Sequence, residues 1–356
     1  MAMQTKQPGF FDVEQRKAKL EKMGDPLMTL NRCIDWEVFR GELAQIHHKE
    51  RKSNAGAKPL DVVLMFKVLV LQQLNNLSDD RIEYQIQDRL SFMRFLGLQL
   101  EDKVPDAKSV WLFRERLKEH QLIDVLFARF NEQLAAVGYA ARAGQMIDAT
   151  FVEVPRQSNT REEKAQIKAG QTPQEWEDSK QSTLSQKDID ARWAKKGQET
   201  HYGYKNHINA DQENKLVQSW SVTNASIHDS QVFDELLDHE QDEQGNKREV
   251  YADSAYRSEQ QEERLAASAI PSQICEKGAR NKPLTTQQKQ SNTIKSKVRA
   301  RVEHIFGAQA HMGGHIVRTI GLMRATVKIG MMNLVYNMVR LGQLLKRDRT
   351  GAPCMA

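Results

Sequence analysis

At 356 residues, with 39% apolar and 28% charged side chains, the chain can fill two or three domains, or one large domain with insertions. Its longest strongly apolar run, 62–74, is too short to span a bilayer and carries Lys67, and the N-terminus, with Lys6 ahead of a polar stretch at 12–22, lacks a signal-peptide pattern. Three distant cysteines (Cys33, Cys275, Cys354) make neither a CxxC metal site nor a disulfide framework, which points to a reducing, cytosolic setting.

Net charge is only +5, but it is unevenly spread: residues 277–350 hold fifteen Lys or Arg against two acids, Glu303 and Asp348. A polyanion near Glu303 explains that excess better than a solvated face.

In chain order, residues 1–140 read as almost wholly helical. Apolar residues fall at helical spacing over 34–46 and 60–77. Ser78 suits the N-cap of a helix to about 90, with Asp79 and Asp80 in its first turn. Helices follow over 108–119, carrying Arg114 and Arg116, and over 121–137, stopped by Gly138. Short helices ending in an Arg-rich one are compatible with a helix-turn-helix reader of DNA, and equally with an ordinary bundle.

The texture changes near 144. A strand is expected over 145–154, then a polar insertion at 156–200, partly helical and partly mobile. Strands follow over 202–210 and 216–223, a helix capped by Asp229 over 230–237, and a strand ending at Asp253. A helix over 258–268, a strand over 270–274, a polar loop over 282–291, a helix carrying Glu303 and a closing helix over 325–345 complete the chain. This order predicts an α/β fold: a mixed sheet flanked by helices, of the ribonuclease-H-like kind, behind an all-helical N-terminal domain. The expected domains are 1–140 and 144–350.

Three acids stand out. Asp148 interrupts the apolar run Met146-Ile147-Asp148-Ala149, and Asp253 closes Val250-Tyr251-Ala252-Asp253. Glu303 lies on one helical stripe with Lys295 and Arg299. Carboxylates on buried strands are costly without partners. Together the three suggest a cage for two Mg²⁺ ions about 4 Å apart, the equipment of phosphodiester chemistry. Arg299 could neutralise charge developing on the phosphate. His201, His207 and His228 show no zinc spacing; His228-Asp229 fits a capping turn or a secondary role near DNA.

The chain resembles bacterial insertion-sequence transposases of the DDE type, in the insertion-sequence family numbered five. The motifs that carry the resemblance are Asn76-Leu77-Ser78-Asp79, Val104-Pro105-Asp106, Ile147-Asp148-Ala149-Thr150, Lys195-Lys196-Gly197 and Tyr202-Gly203-Tyr204-Lys205, followed by His228-Asp229, Ala252-Asp253-Ser254-Ala255-Tyr256 and Arg299-Ala300-Arg301-Val302-Glu303-His304. The resemblance implies Asp148, Asp253 and Glu303 as catalytic, metal-binding triad, with two Mg²⁺ ions for which Mn²⁺ substitutes. In the family's signature around the glutamate, Arg299 and Glu303 fit, whereas Ser296 stands at its Tyr position and Ala310 at its Lys position; Arg318 is a candidate replacement.

The expected activity is binding of terminal inverted repeats, metal-assisted strand cleavage and joining of 3′-hydroxyl ends to target DNA. The alternatives are an inactive DNA-binding protein and a nuclease without strand transfer. Candidate DNA contacts are Arg114, Arg116, Lys205, Lys295, Lys297, Arg299, Arg301 and Arg318. The expected partners are double-stranded DNA and a second copy, in a homodimer or larger synaptic assembly. The expected location is bacterial cytoplasm at the nucleoid, with no membrane.

Overall fold

The computed structural model describes residues 9, 11–47, 58–139, 143–173, 176, 186–241, 245–279 and 283–350. It divides into two units, Met1–Arg116 with Leu341–Ala356, and Leu117–Arg340. Thus the unit boundary falls before the last N-terminal helix, earlier than the change in sequence texture near 144. Among the described residues, no helix is long and apolar enough to cross a membrane.

The first unit is helical: α1 (Asp12–Lys22), α2 (Pro26–Cys33), α3 (Arg40–Ala44), α4 (Val62–Leu74), α5 (Asp79–Asp88), α6 (Leu90–Leu96) and most of α7 (Ala107–Glu119). The expected cap at Ser78 is present, its side chain accepting from the Arg81 amide. Asp61 caps α4 through the amides of Val63 and Leu64. Gly97 ends α6 at φ 78°, the left-handed turn that glycine adopts without strain. The core is aromatic. Trp36 meets Phe95 edge-on at 5.5 Å and Phe39 meets Phe66 at 5.0 Å. Lys67 lies over Trp36 and Phe95, and burial lowers its pKa to about 8.

The second unit opens with α8 (Leu122–Ala136). It continues through β1 (Gln145–Glu153), α9 (Arg161–Lys168), β2 (Arg192–Lys196), β3 (Glu199–Asp211), β4 (Val217–Asn224), α10 (Phe233–Leu236), β5 (Val250–Tyr251) and α11 (Glu259–Ala267). Last come α12 (Thr286–Arg299), α13 (Arg301–His311) and α14 (Leu322–Thr350), whose final turns group with the first unit. β3 pairs antiparallel with β1 on one side, and with β2 and then β4 on the other. β5 runs parallel to β1. The stretch expected as a further strand at 270–274 lies beside β5: Val250 donates to Pro271 and Gln273 donates to Val250. Three antiparallel strands continued by parallel ones, with helices against the sheet, make the ribonuclease-H-like arrangement.

Gly203 lets β3 cross the end of β1 closely; a Cβ there would meet the Val152 carbonyl oxygen at 2.4 Å. One sheet face packs Ile147 against Phe233, Leu265 and Ile274. The other carries a buried amide network. Asn206 and Gln309 both donate to Asn333 Oδ1, at 3.0 and 2.7 Å, joining β3, α13 and α14. Asn337 fastens β4 by pairing with both backbone groups of Val217. Such amides are tolerated inside because their partners are supplied.

Three expectations need correction. The segment taken as polar insertion contains β2, an edge strand with partners on one side only, so its charged residues stay solvated. Residues 174–175 and 177–185 of that segment lie outside the described residues. The loop expected over 282–291 is helical from Thr286, started by a capping box between Thr285 and Gln288; Arg280, Asn281 and Lys282 lie outside the described residues. The helix expected to carry Lys295, Arg299 and Glu303 on one stripe breaks at Ala300, between α12 and α13.

Candidate active site

Parallel pairing sets Gln145 beside Val250 and Met146 beside Tyr251. Two residues further along each chain come Asp148 and Asp253, so the pairing sets the two acids at matching positions, Asp148 in the middle of β1 and Asp253 just past the end of β5, where ligands gather in α/β sheets. Asp253 caps the turn Ser254–Tyr256 through the Ala255 amide at 2.6 Å. Asp148 Oδ1 accepts from the Ala149 amide, and its Oδ2 accepts from Arg299 Nη1 at 2.7 Å. Burial raises the Asp148 pKa; Arg299 opposes that rise and the charge of Asp253 adds to it.

Among the described residues, two buried donors here have no hydrogen-bond partner, Arg299 Nε and the Tyr256 hydroxyl. Tyr256 packs against Phe233 at 5.4 Å and is only 2% exposed. Its pKa is raised well above the usual value, by burial first and then by Asp148, Asp229 and Asp253. The sequence showed Tyr256 only as part of a motif; no charge or spacing marked it out. Buried donors normally find acceptors. Both are closed off from solvent, so each leaves an unsatisfied donor beside the carboxylates.

Glu303 is placed differently from expectation. It lies in the first turn of α13, past the break at Ala300, with its side chain exposed. Among the described residues no three His, Cys, Asp or Glu side chains converge on a metal position. Asp148 and Asp253 supply hard oxygens that suit one divalent ion such as Mg²⁺, which typically needs only one or two carboxylates.

Several expected DNA contacts are already engaged. Arg114 holds Asp79 with two 2.8 Å bonds. Lys205, 7% exposed, binds Asp229 Oδ1 and the Ile227 carbonyl, both at 2.7 Å. Lys295 donates to Ile274 and Arg301 to Gln212. Arg116 is half-buried, whereas Lys297 and Arg318 are exposed. His228 does form the capping turn, its Nδ1 accepting from the Ser230 amide.

The family model for the transposase DDE domain matches residues 140–338. The chain belongs to that family. A second model, a transposase domain of the DUF772 type, matches residues 14–116. This DDE transposase is also similar to a solved structure, a piggyBac transposase synaptic complex with hairpin DNA, at 13% identity and a TM-score of 0.47 over 95% of this chain and 78% of that one. Asp148, Asp253, Arg299 and Glu303 all fall within the DDE-domain match.

Proposed function

We propose that this transposase binds the terminal inverted repeats of the element that encodes it, cleaves DNA strands at the repeat boundary, and joins the freed 3′-hydroxyls to target DNA. The observation that carries this reading is the pairing of Asp148 with Arg299 in a DDE domain, beside Asp253 and two buried donors without acceptors.

Asp148 and Asp253 would hold a divalent ion, Mg²⁺ or Mn²⁺, with Glu303 as the third acid. When bound, such an ion supplies Lewis acidity at the phosphoryl group. The protein's own groups do the rest. Arg299 sets the orientation of the Asp148 carboxylate and adds positive charge beside it, where charge would develop on the phosphate. The Tyr256 ring, fixed in the core, presents a neutral hydroxyl donor. Lys205 and Asp229 neutralise each other behind Phe151, which keeps a lone buried charge away from the site. Two element ends must be held together for joining, so the working form is a homodimer or larger synaptic assembly, at the nucleoid.

The test uses purified protein, labelled duplex from the ends of the encoding element, and Mg²⁺ or Mn²⁺. Metal-dependent nicking at the repeat boundary, lost in Asp253→Asn, is expected, and a pre-cleaved end should then join target DNA. Cleavage without joining would make the protein a nuclease. Tight binding without cleavage under either metal would make it a DNA-binding protein alone.

A further inference from the structure

Trp193 lies on edge strand β2 and is 48% exposed, an unusual position for an indole with no fold to complete. Its ring meets Tyr202 at 5.0 Å, and the Arg156 guanidinium lies 5.3 Å over it. Arg156, Lys195 and Lys196 are exposed as well.

The register assigns these groups to faces. Trp193 pairs with Tyr202 and Lys195 with Thr200, while Asp148 pairs with Ile208. Opposed residues share a face and alternate residues return to it. Trp193, Lys195 and Tyr202 therefore share the sheet face that carries Asp148. Glu199 and Glu153 fall on the opposite face, the latter bonded to His201. Two described acids whose charge reaches Tyr202 or Tyr204 are committed. Asp188 accepts from the Tyr204 hydroxyl and the Gly321 amide, and Asp190 accepts from the Leu322 amide at the start of α14. The residues from Ile208 to Tyr202 along β3 cover about 20 Å, close to six base-pair steps of duplex.

We propose that Trp193, Arg156 and Lys195 form a DNA-contacting platform that receives the strand leaving the Asp148 site, Arg156 and Lys195 on phosphates and Trp193 against a sugar or unpaired base. An aromatic ring among exposed cations fits nucleic acid by charge and by stacking. This inference rests on the transposase reading above and assigns one segment of its DNA path.

Four proteins decide it: wild type, Trp193→Ala, the double variant Arg156→Ala/Lys195→Ala, and Trp193→Phe as the conservative control. Each is titrated by fluorescence anisotropy with element-end duplex across a salt series, with melting temperatures recorded. The double variant should lower the slope of log K against log salt by about 2. Trp193→Ala should weaken binding roughly 5- to 100-fold, most strongly on duplexes with unpaired bases about six steps from the cleaved bond, and Trp193→Phe should restore most of it. Wild-type affinity and salt slope in both alanine variants, with intact melting temperatures, would overturn the platform while leaving the transposase reading standing. A wild-type protein that binds but does not cleave would count against that reading; the change in slope would still decide the platform.

Discussion

Arg299 Nη1 donates to Asp148 Oδ2 at 2.7 Å across 151 residues of sequence. The side chains are 23% and 17% exposed, so the pair is only partly screened by water. It joins the last turn of α12 to the middle of β1, and it leaves the Asp148 carboxylate neither free nor wholly solvated.

Removing the arginine leaves an acid on a nearly buried strand. Arg299→Ala should cost roughly 1–3 kcal/mol of stability and reduce cleavage. Arg299→Lys should recover little of either, because a lysine lacks the planar guanidinium with its second donor. Urea denaturation and a nicking assay on the same preparations check both outcomes.

Glu303 is exposed, so Glu303→Gln should leave the melting temperature unchanged. As third acid it should nonetheless reduce cleavage by about a hundredfold or more. Wild-type cleavage in this variant would limit the working carboxylates to Asp148 and Asp253.

Tyr256→Phe removes only an unpartnered hydroxyl from the core. Stability should hold or rise by up to about 1 kcal/mol, while cleavage falls roughly tenfold. A drop in melting temperature with unchanged cleavage would make Tyr256 a packing residue only.

His207 is fully buried, with Nε2 hydrogen-bonded to Thr223 and its pKa lowered to about 4, chiefly by burial. A depressed histidine contributes stability that is present above its unfolded value of about 6.5 and lost as pH falls toward the folded one. Between about pH 6.5 and 4, wild type should lose on the order of 2–3 kcal/mol relative to His207→Gln. Melting temperatures of both proteins across that window measure the difference.

Gly330 sits in α14 where a Cβ would approach Ile123 Cγ1 and Trp220 Cη2 to 2.6 Å. Gly330→Ala should therefore destabilise the second unit by roughly 1–3 kcal/mol despite alanine's better helix propensity. Thermal denaturation followed by tryptophan fluorescence gives the sign.

Much of the fold was legible because its signals are local. Ser78 with two acids after it, the Gly138 stop and the alternation around Asp148 each depend on a few neighbouring residues. The start of α12 was read as loop from its polar composition, although the spacing of Thr285 and Gln288 is that of a capping box. β2 was not legible: Arg192, Trp193, Ala194, Lys195 and Lys196 carry no apolar alternation, because an edge strand packs on one side only. Nor was the break at Ala300, since residues 295–304 keep good helix formers throughout.

By itself the sequence determined the kinds of groups this transposase has to work with: one acid within an apolar strand and one closing another, a third in a basic helical stretch, and motifs in the family's order. Covalent order and local periodicity suffice for that. Only the tertiary structure decided which charges remain available. Lys205, Lys295 and Arg114 looked like DNA contacts and are engaged within the protein, whereas Trp193 and Arg156, unmarked in the sequence, stand exposed on the Asp148 face. A charge is neutralised by whatever lies within a few ångströms, and strands from distant parts of the chain determine what that is.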